Sequence, residues 1–125
     1  MSENKDYITR YEANGTVNIS AEVICSIAAL AACEVEGVCG LSQNRSAEIA
    51  ELLGYKSLAQ GVHLSAQEDQ YQVECNVVLE QGCQFPTVAA EIQKAVASAI
   101  ESTTGIQISA VNVNICSVAL PKKTV

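Results

Sequence analysis

The chain has 125 residues, of which 49% are hydrophobic and 17% charged, and it carries a net charge of −7. That length holds one ordinary domain with no room for two independent cores, and the hydrophobic share is too high for a disordered chain. The acidic balance and the 4% aromatic content exclude the basic stripe and stacking rings on which nucleic-acid binders rely, and disfavour adhesion to anionic lipid.

The first twelve residues, MSENKDYITRYE, contain no apolar stretch or small-residue cleavage site of the kind that marks a signal peptide. The longest apolar run, around Val23 to Cys33, is interrupted by Ser26 and is too short to span a bilayer. A soluble, cytoplasmic protein without direct membrane insertion is expected. Six cysteines occur, but no C-x-x-C is among them and no export signal accompanies them, so they read as reduced thiols serving as small apolar residues.

In chain order, residues 1–14 read as a polar, flexible lead-in. Val17 and Ile19 alternate with polar neighbours after Gly15 and predict a short strand. Ser20 is suited to cap a helix, Glu22 suits its first turn, and Ile24, Ile27, Ala28, Ala31 and Val35 recur at helical spacing up to Gly37. The opposite side of this helix has little polar cover. Ala29 and Cys33 lie there beside Glu22 and Ser26, with Val23 and Leu30 on the flank, and a helix so covered tends to be buried on more than one side.

SAEIAELLG, residues 46–54, reads as a short extra helix with Ile49, Leu52 and Leu53 on its apolar side. Gly61 opens a strand with Val62 and Leu64 facing one way. A polar hairpin then leads to a longer strand, Tyr71 to Leu79, whose odd-numbered positions are apolar. Pro86 begins a second long helix with an apolar stripe of Val88, Ile92, Val96, Ala99 and Ile100, closed by Gly105. The last strand sets Val111, Val113 and Ile115 against Asn112, Asn114 and Cys116, and Pro121 stops it. This order predicts a single α+β domain of βαββαβ type over residues 15–120. It would be a four-stranded sheet with two long helices on one face, plus the short extra helix, followed by a tail at 121–125.

No catalytic constellation accompanies these elements. The seven glycines are isolated, so neither a phosphate-binding loop nor a dinucleotide fingerprint exists. His63, the only histidine, falls on the polar side of its strand without a sequence partner. The carboxylate pairs Glu34/Glu36, Glu48/Glu51 and Glu68/Asp69 sit at a helix end, on the short helix and in a hairpin, where they read as solvated. No catalytic, cofactor-binding or metal-binding residue is assigned, and no cofactor is expected. The residues that read as an interaction surface are Val23, Ala29, Leu30 and Cys33 on the first helix, Ile49, Leu52 and Leu53 on the short helix, and the amide ladder Asn112 and Asn114.

GTVNIS and EVICSIAALAACEVEGVCGL, continued by GVHLS, YQVECNVVLEQG, FPTVAAEIQKAV and TTGIQISAVNVNICSV, resemble the alkaline shock protein family of Gram-positive bacteria. These are envelope stress proteins, and the resemblance runs from about residue 15 to residue 118. It implies a non-enzymatic cytoplasmic protein that assembles with itself and is held at the inner face of the membrane through an anchored protein partner, in the service of cell-envelope homeostasis. The other class left open by the residues is a domain binding a small ligand or RNA, since βαββαβ sheets host both. The missing sheet aromatics and basic stripe count against RNA.

Overall fold

The computed structural model describes residues 7–42, 61–67 and 70–119. Its elements are β1 (Tyr7–Glu12), β2 (Gly15–Ser20), α1 (Ala21–Cys33), β3 (Val38–Leu41), β4 (Val62–Gln67), β5 (Gln70–Glu80), α2 (Phe85–Thr104) and β6 (Ala110–Ala119). The short helix expected at 46–54, with Ile49, Leu52 and Leu53, lies outside the described residues.

β5 is the spine of a four-stranded sheet. Parallel to it, β6 occupies one edge, with Val73 opposite Val111 and Val77 opposite Ile115. A parallel neighbour requires a crossover, and α2 supplies it. The other edge of β5 is shared end to end by two antiparallel strands: β4 pairs with residues 70–75 and β3 with residues 77–79. They meet at Asn76, whose N–H donates to the Gly61 carbonyl and whose carbonyl accepts from the Ser42 N–H, both at 2.8 Å.

The alternation read along β5 holds. Val73, Cys75, Val77 and Leu79 are fully buried on the face that meets the helices, while Glu74 and Glu80 are exposed. α2 lays Val88, Ile92, Val96 and Ile100 into the same core, one residue every turn. It ends at Gly105 in the left-handed conformation, with the Gly105 N–H donating to the Glu101 carbonyl at 2.8 Å. α1 starts as expected at Ser20, whose hydroxyl accepts from the Val23 N–H at 3.2 Å. Burying Ile24, Ala28 and Ala31 on one side and Cys25, Ala29 and Ala32 on the next, it is embedded on two flanks. Its small side chains let it pack closely against α2 and the sheet. In the turn that follows, Gly37 has φ +101°, and a Cβ there would stand 2.9 Å from Val88 Cγ2, so only glycine fits this approach of the turn to α2.

The α+β class and the two helices on one face of a four-stranded sheet are as expected, but the strands are not shared out as expected. The strand carrying Val17 and Ile19 is outside that sheet. It pairs instead with β1 in a separate antiparallel ribbon, Ile8 opposite Ile19 and Arg10 opposite Val17. The fourth strand of the main sheet is β3, to which the sequence patterning assigns no element. It has four residues, too few to display an alternation. Residues 7–12, read as part of a flexible lead-in, form β1. Its polar composition conceals it because only Ile8 is buried, while Arg10 reaches across to donate from Nη1 to the Gly105 carbonyl at 2.9 Å. A cation at this helix end is also favoured by the helix dipole.

Candidate interaction surfaces

Three surfaces have a chemical character of their own. The first is the outer side of α1. Val23, Ile27 and Leu30 follow at i, i+4 and i+7 and so share one stripe. Val23 is 47% exposed and Leu30 59%, Ile27 is half-buried, and Cys33 is exposed one turn further on. Ala29 corrects the expectation: at 3% exposure it is covered inside the domain. α1 is sunk so deeply that its second flank faces the protein rather than solvent.

The second surface is the sheet face opposite the helices. His63 stands directly across from Glu74, and Glu74 across from Asn112, with all three exposed. Asn114 lies beside them, its Nδ2 donating to Glu74 Oε2 at 2.6 Å and to Asn76 Oδ1 at 2.9 Å. The ladder of Asn112 and Asn114 therefore exists, but Asn114 is bound within its own sheet, where it satisfies the buried amide of Asn76. No Phe, Tyr or Trp stands on this face among the residues that pair in it.

The third surface was not legible in the sequence. A cleft of about 980 Å³ opens between the C-terminal end of α1, the turn after β5 and one side of α2. Ala31, Val88, Ala95 and Ala99 give it a small-residue floor, and Glu34, Glu36, Glu80 and Glu91 stand around it. Glu34 and Glu36 stand out in the sequence as a carboxylate pair, but the other two reach the same rim from positions 80 and 91 through the packing of β5 and α2. Only the sheet order could have announced that meeting.

The thiols divide by position. Burial pushes the Cys25 thiol up to about 11, with the Glu22 carboxylate adding to the effect and a backbone hydrogen bond at Leu64 opposing it. Cys75 is pushed up to about 12 by burial first, then by the negative charge that Cys25, Cys33 and Glu74 can carry. These two serve as core residues, as their apolar neighbours suggested, whereas Cys33, Cys39 and Cys116 are exposed. At pH 8 a disulfide reagent should label the exposed three rapidly and reach Cys25 and Cys75 only on unfolding, as peptide mapping would read. Both buried thiols hold their proton more tightly folded than unfolded, so stability should fall as pH rises above about 9, where the unfolded thiols ionise. Denaturant midpoints from pH 7 to 10.5 should show less alkaline loss in Cys25→Ala/Cys75→Ala.

Among the described residues no three His, Cys, Asp or Glu side chains gather as metal ligands, and no helix is long and apolar enough to cross a membrane. What the elements define is an α+β domain of order ββαβββαβ, with a helix-covered core and an open polar sheet face. The chain belongs to the alkaline shock protein 23 family, described as having a cell envelope-related function, which it matches over residues 9–120. It is 34% identical over 109 residues to the uncharacterized protein Spy1535 of Streptococcus pyogenes, covering 86% of this chain and 82% of that one. It is 29% identical to YqhY of Bacillus subtilis, covering 87% and 81%. Among solved structures it is similar to a MamM CTD in its copper form, with 16% identity and a TM-score of 0.48 over 82% of this chain and 91% of that one.

Proposed function

We propose that this chain is a non-enzymatic protein-interaction module of the cell envelope, which associates with copies of itself and is brought to the membrane by an anchored protein partner. The observation that carries the reading is the α1 stripe. Val23 and Leu30 are large apolar side chains left in solvent on the same line of the helix, and contiguous exposed apolar surface marks interaction sites. The family's envelope-related function supplies the setting. An acidic chain has little attraction for anionic lipid, which favours recruitment through a protein.

Light scattering at tens of micromolar, an order that exposes weak interfaces, should find a dimer or larger species. Leu30→Lys should weaken it by about tenfold or more, the effect of forcing an ammonium against an apolar neighbour. A monomer at that concentration would count against self-association through α1. For recruitment, the purified chain should ignore anionic liposomes while a fluorescent fusion in its native cell lies at the periphery. Direct liposome binding would overturn recruitment through a protein, and a uniform cytoplasmic signal would overturn the envelope setting.

A further inference from the structure

We propose that the acidic cleft is the seat of the chain's own basic tail, residues 120–125, which lie outside the described residues. The cleft offers small apolar side chains at its floor and four carboxylates around them, Glu34, Glu36, Glu80 and Glu91, and among the described residues no lysine or arginine lines it. The carbonyls at the end of α1 add to the negative potential, because no basic residue stands in the last turn of that helix. Such a groove selects a short segment that brings positive charge together with modest apolar surface.

The tail has that composition, and the sheet delivers it to the right place. Its sequence is Leu120, Pro121, Lys122, Lys123, Thr124, Val125, with the only adjacent pair of basic residues in the chain. Ala119, the last residue of β6, is paired with Glu80, and its carbonyl accepts from the Gln81 N–H at 3.2 Å. Glu80 and Gln81 both line the cleft, so the chain leaves the sheet at the cleft's rim. Pro121 has no N–H with which to prolong the ladder. At no more than about 3.6 Å per residue, the three steps from Ala119 to Lys122 span at most about 11 Å, a tether that begins beside the cleft residue Glu80. Each exposed ion pair adds little by itself, but attachment to the same chain supplies a high effective concentration. Docking of this kind is sensitive to salt and leaves the α1 stripe uncovered, so it fails or stands separately from self-association.

The test compares amide NMR spectra of the full chain and of Lys122→Gln/Lys123→Gln at low salt. Docking in cis predicts shifted peaks at Glu34, Glu36, Glu91, Ala95 and Ala99, with the core peaks of Val73 and Val77 unmoved. Raising the salt to about 0.5 M, which shortens the range of charge interactions to a few Å, should bring the parent spectrum onto that of the variant. Glu34→Gln/Glu91→Gln in the parent chain should move the Lys122 and Lys123 peaks toward their free positions. Identical cleft peaks in the parent and the lysine variant would overturn the proposal. Shifts that grow with protein concentration would overturn it as well, since the tail would then be entering a neighbour's cleft.

Discussion

Leu79→Ala should lower the stability of the domain by about 3 kcal/mol, the middle of the range for a leucine truncated in a packed core. Leu79 is fully buried near the end of β5, opposite Val38 on β3 and Val118 on β6. Removing its side chain opens space where three strands meet, and the backbone pairing on both edges keeps that space from collapsing. Val118→Ala on the neighbouring strand is the matched comparison. Val118 is 37% exposed, so its truncation forfeits only part of the transfer energy and should cost about 1 kcal/mol or less. Urea unfolding would read both. Equal losses would mean that the core is not centred on β5.

The second large effect concerns backbone rather than packing. Gly61 opens β4 with φ +93°, and a Cβ there would lie 2.7 Å from the Ser42 carbonyl oxygen and 3.2 Å from Leu41 Cβ. Gly61→Ala must therefore adopt a conformation that costs an L-residue roughly 1–2 kcal/mol, and must also push apart the junction of β3 and β4. A total loss of about 2 kcal/mol or more is expected. Gly40 provides the opposite sign. It lies in β3, has no unusual φ, and a Cβ added there meets nothing within 4 Å. Gly40→Ala should be neutral or stabilise by about 0.5 kcal/mol, since alanine loses less chain entropy in a strand than glycine does. Chemical denaturation of the two variants side by side would separate conformational strain from a general intolerance of change in this sheet.

What could be read from the amino acids alone depended on how many turns or pleats each element repeats. α2 repeats its stripe four times between Val88 and Ile100, β5 alternates from Tyr71 to Leu79, and β6 sets its valines against its asparagines, so their faces are legible. β1 was missed because Arg10 and Glu12 are paired with each other, at 3.1 Å, and look like solvated charge in a linear sequence. Partner choice was illegible for β2, whose alternation says which side is apolar but not which strand lies beside it. Ala29 shows the same limit on a helix. Alanine is small enough to stand on either a buried or an exposed face, and only the depth to which α1 is sunk decides. Within the candidate surfaces, Val23 and Leu30 were found because large apolar residues in solvent break the helical pattern. The cleft was not found, because its four carboxylates come from three separate segments.

The junction at Asn76 has a corollary for chain length. β3 and β4 are each aligned on β5 by their own contacts, Val38 against Leu79 and Val62 against Cys75, and Ser42 and Gly61 end up bonded to the same peptide unit. Ser42 and Gly61 thus stand at one point of the sheet, so the alignment of β3 and β4 on β5 does not depend on how many residues join them. Closure entropy grows so slowly that doubling such a connection costs only about 0.6 kcal/mol. A change in the number of residues between Ser42 and Gly61 therefore leaves every described strand with its partner.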